Sequence, residues 1–197
     1  SVVGNLAFMN TALTSVNLAS IAYVGDGAFA DTQSLTSIKL GKEDKLGAYF
    51  VADNVLYRYI DQATETYAIV CYPAGLQAPE VTVEEKTKRV YEVLEGTLQV
   101  QAYAFYGLAK GTIDEVVLPY SVKIVGDSAF FASGIKEYTF ESIDAPTLET
   151  VHRYEIQSAV ENMAADSTVA YYRGYYYTNF ETYLFNFTKY GTETSKL

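Results

Sequence analysis

Apolar residues return in a fixed pattern at four places along the chain. Each copy has Val, then three residues, then Ala-Phe, and later a run of the type Leu-x-x-Ile-x-Leu. The clearest copies begin at Val24 and Val125, and weaker copies begin at Val3 and Val100. Alternation at the end of each run predicts a short β-strand with one buried face. Because one such unit cannot enclose a core, the pattern predicts coils that stack into a solenoid.

The other positions of each copy have simple physical interpretations. The Gly that follows Val24 and Val125 suits a tight turn. We expect the Ala to let neighbouring turns approach closely and the Phe to fill the space between coils. The repeated Val residues are 21 apart in the first pair (24 − 3) and 25 apart in the second (125 − 100). Loops on the outer side of a solenoid can absorb such differences.

Residues 42–89 interrupt the repeat. Two apolar runs flank Asp53-Asn54, which predicts a two-residue hairpin turn because Asp and Asn tolerate positive φ. We predict a further strand over 67–72 and a short extended piece over 81–83. The mixed charges of residues 84–89 predict a solvated loop. The block is too short and too rich in strands to form its own core, so we interpret it as a β-hairpin insertion.

The repeat resumes over residues 90–140, and residues 141–197 differ in character. Apolar residues at i, i+3, i+4 and i+7 predict helices over 156–163 and 180–187. Because the open end of a solenoid must be covered, these helices predict a terminal cap. We therefore expect a single domain, with repeats at 1–41, the insertion at 42–89, repeats at 90–140 and an α-containing cap at 141–197.

The repeat resembles the BspA-like, or treponemal-type, leucine-rich repeats of bacterial surface proteins. Their unit has Val/Ile-Gly-x-x-Ala-Phe before the Leu-x-x-Ile-x-Leu run, and residues 25–29 and 126–130 match it best. The insertion, with Phe50 to Tyr57 and Tyr72 to Gly75, is similar to a segment that often punctuates these repeats. The resemblance implies short strands on a concave face and turns or short helices on a convex face. It also implies a surface-attached protein that binds macromolecules, with no shared catalytic residues.

Charge limits the classes of partner. The net charge of −10 repels phosphate backbones and anionic lipids, so we expect no nucleic acid and no membrane surface as a partner. No apolar run approaches the roughly 20 residues that cross a bilayer, so we expect no membrane insertion by this fragment. The chain starts inside a repeat without Met, which predicts a piece of a longer protein with any export signal upstream.

The sequence offers little for catalysis or metal binding. It has one cysteine, Cys71, on a predicted strand, and one histidine, His152, with no nucleophile motif. One thiol and one imidazole cannot form a zinc site, and Asp26 and Asp127 suggest turn chemistry rather than calcium binding. Chance pairs among 24 acidic residues leave glycoside hydrolysis open without favouring any pair. We predict no enzyme, no cofactor and no metal.

Two surfaces are candidates for binding. One is formed by strand positions predicted to face outward, because solenoids commonly bind along this face. The other is a tyrosine-rich stretch of the cap, since Tyr offers large contact area with a polar tip. The alternatives are a solvated sheet and tyrosines that seal the cap core. The candidate residues are Asn17, Lys39, Glu92, Glu115, Val117, Glu137 and Thr139 on the strands, and Tyr171, Tyr172, Tyr175, Tyr176 and Tyr177 in the cap.

The function we predict is recognition without catalysis. The chain would act in adhesion, on a bacterial cell surface or in secreted form, and dock a host or neighbouring-cell protein or glycan. One alternative is a structural spacer that binds nothing itself. Another is a glycan-binding accessory module of a larger surface enzyme. The flanking gene sequence would separate them, because it would reveal either a wall anchor or a catalytic domain.

Overall fold

The computed structural model describes residues 1–41, 47–142, 146–148, 169–172, 175–179 and 186–189. For Val83, and for every strand after Pro146, it describes the backbone alone. These residues form strands and turns, and no helix occurs among them. In this part of the chain the side of the solenoid predicted to carry turns or short helices therefore carries turns. Nothing among the described residues is a helix long and apolar enough to cross a membrane.

Each complete coil contributes two short strands that pair in parallel with their equivalents in the next coil. The first kind precedes the Ala-Phe turn: β1 (Val2–Val3), β3 (Tyr23–Val24), β10 (Thr97–Val100), β12 (Ile124–Val125) and β14 (Thr147–Leu148). The second kind follows it: β2 (Ser15–Leu18), β4 (Ser37–Leu40), β11 (Glu115–Leu118), β13 (Glu137–Phe140) and β15 (Val169–Tyr172). This stacking confirms the predicted solenoid.

The Ala-Phe turns form a third layer that joins the coils. The Phe8 N–H donates to the Ala28 carbonyl at 2.8 Å, and the Phe105 N–H donates to the Ala129 carbonyl at 2.7 Å. The Phe rings of each coil pair stack, with centroids 5.6 Å and 5.0 Å apart. The predicted role of Phe between coils is therefore confirmed, and within each pair of coils the two turns are joined by backbone hydrogen bonds and a ring contact.

The predicted hairpin is present between the two pairs of coils. Strands β5 (Tyr49–Ala52), β6 (Val55–Asp61) and β7 (Thr66–Cys71) form an antiparallel meander. Asp53 and Asn54 connect β5 to β6 with φ values of 49° and 67°, which confirms the two-residue turn. The strand predicted over 67–72 is confirmed as β7, shifted by one residue.

A second hairpin follows, and it corrects one prediction. Strand β8 (Glu80–Val83) pairs antiparallel with β9 (Lys86–Glu92), and only Glu84 and Glu85 form the turn between them. The predicted solvated loop over 84–89 is therefore wrong for residues 86–89. A segment of mixed charge can form a strand when its charged side chains are solvated or form ion pairs with neighbouring strands. Here Arg89 pairs with Glu80 across the hairpin at 2.7 Å.

Residues 66–92 also follow the path of a coil, with a shortened turn. Strand β7 is parallel to β10, and β9 is parallel to β11. Between them, the Tyr72 N–H donates to the Ala104 carbonyl at 2.8 Å, and the Tyr72 ring stacks on Phe105 at 5.4 Å. Tyr72 thus takes the place of the repeat Phe. Two residues separate Ile69 from Tyr72, whereas four separate Val100 from Phe105, so this coil lacks the full Ala-Phe turn.

The missing turn explains an irregular residue in the next coil. Gln101 stands where the other copies have Gly, and a Cβ at Gly126 would lie only 2.4 Å from backbone of the preceding coil. At Gln101 the shortened coil supplies no such turn backbone. The Gln101 Nε2 donates instead to Asp26 Oδ1 at 2.7 Å, and the Asp31 N–H donates to the Tyr106 carbonyl at 3.1 Å. The second and third Ala-Phe turns are therefore in direct contact.

The meander divides the interior into two cores. Val55 and Tyr57 of β6 pack in the larger cluster and Leu56 packs in the smaller one, with each side chain at most 1% exposed. A strand buried on both faces separates the two repeat pairs. At the boundary, the Val24 N–H donates to the hydroxyl of Tyr49 at 2.9 Å instead of to a neighbouring strand.

The predicted helical cap is not supported. Strand β16 (Tyr175–Asn179) pairs antiparallel with β15 and with β17 (Asn186–Lys189). The helix predicted over 180–187 is therefore wrong at its end, where Asn186 and Phe187 belong to β17. Phe and Thr favour strands, and β16 supplies a pairing edge that outweighs the helical spacing. Residues 180–185 and the helix predicted over 156–163 lie outside the described residues.

Candidate recognition surface

The ladder formed by β2 and β4 presents short polar residues to solvent. Asn17 and Lys39 are register partners, and both are exposed. Ser37 lies two residues before Lys39 on β4, and its Oγ donates to the Oδ1 of Asn54 at 3.2 Å. Lys39 forms no ion pair with any residue that the structure describes. The described residues of this face are open to solvent and include no apolar anchor.

The ladder of β9, β11 and β13 brings the other five predicted strand residues onto one face. Glu115 is the register partner of Glu137, and Glu92, Val117 and Thr139 align across the three strands. Glu92 is exposed and the other four side chains are half-buried. Parallel pairing of equivalent positions therefore produces one mixed polar and apolar surface from three coils.

A network centred on Lys88 orders this face. The Lys88 Nζ forms ion pairs with Glu115 Oε2 and, at 3.0 Å, with Glu137 Oε2. The Thr139 Oγ1 donates to the other Glu115 oxygen at 2.6 Å. Partial burial by itself would lower the pKa of Lys88, but the hydrogen bonds to both carboxylates raise this pKa above its usual value. Three predicted binding residues, Glu115, Glu137 and Thr139, therefore belong to one network that is joined by Lys88.

A second cluster fixes β9 against the start of β11. The Asp114 carboxylate accepts a hydrogen bond from the Arg89 N–H at 2.9 Å and one from Lys136 Nζ at 3.0 Å. The backbone hydrogen bond, followed by the contact with Lys136, lowers the pKa of Asp114 despite the opposing effect of burial. The carboxylate therefore stabilises the fold in its charged form.

Two cavities that share Glu92 run along β9, and together we call them the β9 cleft. The first has a volume of about 520 Å³ and an apolar wall that includes Tyr72, Val81, Val90 and Tyr91. The second, of about 340 Å³, lies between β9 and the end of β11. No Lys or Arg among the described residues lines either cavity. The carboxylates that line them are Asp53, Glu92, Glu95 and Glu141.

The tyrosines in the wall of the cleft are held in place by hydrogen bonds. The hydroxyls of Tyr91 and Tyr57 lie 2.7 Å apart, and the Leu94 N–H donates to the Tyr57 oxygen at 3.3 Å. The Tyr72 hydroxyl donates to the Leu76 carbonyl at 2.9 Å. Burial raises the pKa of Tyr72 and of Tyr91, so both phenols stay neutral. The wall is therefore a fixed surface rather than a source of nucleophiles.

The cleft exists because the hairpin interrupts the strand ladder. The Asp53-Asn54 turn contacts β4 through the bond between Asn54 and Ser37, and Asp53 lines the first cavity together with Val90 of β9. A regular coil would place a strand with a repeat side chain here. The interruption supplies the Asp53 carboxylate and a concave space at the edge of the strand ladder.

Among the residues that the structure describes, groups with catalytic potential do not gather at this surface. Cys71 is buried, and burial raises the pKa of its thiol to about 12, so the thiolate is not populated at neutral pH. No group of three His, Cys, Asp or Glu in the described part of the chain could hold a metal ion. His152 lies outside the described residues.

The tyrosine-rich stretch continues the strand ladder at the backbone level. Tyr171 is the register partner of Thr139, and Tyr172 is the register partner of Phe140. Tyr171 and Tyr172 also face Tyr176 and Tyr175 across the antiparallel β15–β16 pair. The backbone therefore places this stretch beside the predicted binding strands, and the exposure of its side chains stays a prediction.

The family of the chain follows from comparison with known proteins. A model of the BspA-type leucine-rich repeat region matches residues 1–57 and 91–192 in six copies. The chain belongs to the BspA-type leucine-rich repeat family. This confirms the resemblance inferred from the repeat. No curated relative matches the sequence of this BspA-type chain.

Two solved structures share the fold of this BspA-type chain. A leucine-rich cell surface protein from Faecalibacterium prausnitzii has 18% sequence identity and a TM-score of 0.50 over 88% of this chain and 51% of its own. A leucine-rich repeat protein from Eubacterium ventriosum has 17% identity and a TM-score of 0.53 over 81% of this chain and 43% of its own. The BspA-type chain thus spans about half the length of these structures or less.

Several residues of this surface were not predicted. The sequence predicts a loop at Lys88, and it predicts a turn at Asp53 without indicating a role in a site. Residues that favour strands stand on both sides of Glu84-Glu85, with Val81, Thr82 and Val83 before the pair and Thr87 and Val90 after it, and they are a signal for the second hairpin. Glu95 and Glu141 carry no local pattern, since only the stacking of coils brings them to one cavity.

Proposed function

We propose that this chain is a non-catalytic recognition domain of a bacterial cell-surface protein, and that it acts in adhesion by docking a protein of a host or neighbouring cell. Its family and the named cell-surface neighbour from Faecalibacterium support a role in recognition at the surface. The observation that carries the proposal is the interruption of the strand ladder. There an ordered polar face adjoins a cleft with an apolar wall.

The β9–β11–β13 face suits docking better than the β2–β4 face. Its side chains are fixed by the Lys88 network and by the buried tyrosine pair, so little side-chain entropy is lost when a partner binds. It also combines a concave apolar wall with a polar rim, as protein interfaces do. The β2–β4 face has exposed polar side chains without such a wall.

A binding panel with two matched variants tests the proposal. The purified chain is immobilised and exposed to purified extracellular-matrix proteins, bacterial surface proteins and a glycan array. We expect saturable binding to at least one protein. Val117→Arg places a long charged side chain at the centre of the β9–β11–β13 face and should weaken binding at least about tenfold. Asn17→Arg makes the same kind of change on β2 and should alter affinity less than about twofold.

The remaining outcomes separate the alternatives. Loss of binding with Asn17→Arg but not with Val117→Arg would assign recognition to the other ladder. Loss with Tyr175→Ala/Tyr176→Ala alone would assign it to the tyrosine-rich stretch. Binding to glycans alone would favour an accessory glycan module, and no binding across the panel would favour a spacer. Circular dichroism of each variant checks that the fold is retained.

A further inference from the structure

We infer that the β9 cleft binds an extended, positively charged peptide segment, in which Lys or Arg side chains alternate with apolar ones. This inference rests on the proposed recognition function and specifies the chemistry of the partner. It depends on the charge of the cleft rim, on the shape of the two cavities, and on the ring packing and hydroxyl hydrogen bonds of the cleft tyrosines.

The first observation is uncompensated negative charge. Asp53, Glu92, Glu95 and Glu141 are exposed, and none of them forms an ion pair with a described Lys or Arg. Elsewhere on the same strands the carboxylates are paired, as Glu115 is with Lys88. The cleft therefore places four carboxylates, without ion-pair partners among the described residues, at a concave site, where they attract cations and repel anions.

The second observation is the shape of the space. The volumes of about 520 Å³ and 340 Å³ lie within the range of about 300–1,000 Å³ typical of binding pockets. Side chains on one side of an extended peptide recur about every 7 Å, which is twice the rise per residue of a strand. Such a segment can place one side chain in each cavity, with Glu92 between them. Val81, which is 39% exposed, offers apolar contact beside the charged rim.

The third observation disfavours a sugar as the occupant. Sugar rings stack on open aromatic faces and bond to free hydroxyls. In this cleft the Tyr91 ring packs against Tyr72 and Phe105, and the hydroxyls of Tyr72 and Tyr91 already have partners. A nucleic acid or a phosphorylated ligand is disfavoured by the four carboxylates. A Lys or Arg side chain that enters the cleft satisfies both the rim and the apolar wall, because its charged end pairs with a carboxylate and its methylene stem packs on the wall.

The test uses three fluorescein-labelled peptides of nine residues with capped termini, measured by fluorescence polarisation against the full chain. The first alternates arginine with valine, the second has citrulline in place of arginine, and the third has glutamate. Citrulline keeps the shape of arginine but removes its charge. We expect saturable binding of the arginine peptide, at least about tenfold weaker binding of the citrulline peptide and no binding of the glutamate peptide.

A charge-matched pair of variants locates the site. Glu92→Gln/Glu95→Gln should weaken binding of the arginine peptide about tenfold, because two charge-assisted contacts are lost. Glu84→Gln/Glu85→Gln removes the same two charges at the exposed tip of the β8–β9 turn, away from both cavities, and should change binding less than about twofold. Val81→Ser should weaken binding about threefold, whereas Val2→Ser, at an exposed valine outside the cleft, should not.

Equal weakening by the two double variants would overturn the inference, because bulk charge alone would then explain binding. Equal binding of the arginine and citrulline peptides would overturn it as well. If no peptide binds while a protein of the panel binds and is sensitive to Val117→Arg, the basic-peptide inference fails and the proposed function stands. If the arginine peptide binds at the cleft but the protein panel is negative, the cleft chemistry holds and adhesion to the tested proteins fails.

Discussion

The first pair of coils and the second pair are built from the same repeat, yet their surroundings differ. Phe8 of the first coil is 41% exposed, whereas Phe105 of the third complete coil is fully buried between neighbours. Asn17 and Lys39 on β2 and β4 are open to solvent, whereas Lys88, Glu115 and Glu137 on β9, β11 and β13 form an ion-pair network. The repeat therefore defines which residues point inward, and the neighbouring coils define how much each contributes to stability.

The outward faces differ for the same reason. On β4 the next strand of the ladder is replaced by the Asp53-Asn54 turn, and Lys39 forms no ion pair there with any residue that the structure describes. On β11 both neighbours are strands, so Glu115 meets Lys88 from one coil and Thr139 from the next. Variants made at equivalent positions in the two pairs can therefore measure the contribution of neighbouring coils.

The largest expected difference is between Phe105→Ala and Phe8→Ala. Loss of the fully buried Phe105 ring leaves a cavity between two coils and should lower the free energy of unfolding by about 3–5 kcal/mol. Phe8 is 41% exposed and stacks on Phe29, so its loss should lower the free energy of unfolding by about 1–2 kcal/mol. Urea denaturation followed by circular dichroism measures both. Equal losses would show that the two coil pairs do not differ in packing.

A smaller difference is expected for Gly126→Ala and Gly4→Ala. A Cβ at Gly126 would lie 2.4 Å from the Ala102 backbone nitrogen, so the coils must move apart, at a cost of about 1–3 kcal/mol. A Cβ at Gly4 would meet no described atom within 4 Å, and Gly4→Ala should change stability by less than about 0.5 kcal/mol. The same denaturation experiment applies. A neutral Gly126→Ala would contradict the close approach of adjacent turns.

The charged ladders should respond differently to Lys88→Met and Lys39→Met. Lys88→Met leaves the Glu115 carboxylate, whose side chain is only 12% exposed, without its ion pair, and should cost about 1–2 kcal/mol. Lys39→Met removes an exposed amine that has no ion-pair partner among the described residues. It should change the free energy of unfolding by less than about 0.5 kcal/mol. Because the pKa of Lys88 is raised, its contribution is complete below about pH 10 and disappears as the pH rises further. Equal costs for the two variants would remove the distinction between the ladders.

The smallest expected effect concerns acid stability at Asp114. The pKa of Asp114 is lowered in the folded chain, so its contribution is complete above the usual value of 3.8 and disappears as the pH falls below it. Asp114→Asn should lower the free energy of unfolding by about 1 kcal/mol at pH 7 and by less near pH 2. Thermal unfolding at several pH values measures this change. Asp53→Asn removes the same charge from the exposed turn, and an identical pH profile for both variants would argue against a specific contact at Asp114.

The repeat and the first hairpin could be predicted because their signals are local. The Val-x-x-x-Ala-Phe pattern and the positive-φ pair Asp53-Asn54 are each contained in a few neighbouring residues. The second hairpin was not fully predicted because a run of mixed charges is typical of a loop. Only the tertiary structure supplies the partners of Lys88 and Arg89 on other strands. The helix over 180–187 was predicted from spacing alone, and pairing of β17 with β16 determined the strand over 186–189.

The sequence by itself determined the inward face of each coil, the turn at Asp53-Asn54 and the family of the chain, because apolar periodicity and turn propensity are properties of short segments. Only the tertiary structure decided that Tyr72 replaces a repeat Phe, that Gln101 fits where Gly is usual, and that Glu92 and Glu141 approach one cavity. These features depend on which coil lies beside which. Contacts between coils join residues that are 20 or more positions apart, and no local pattern shows that the hairpin interrupts the strand ladder beside β9.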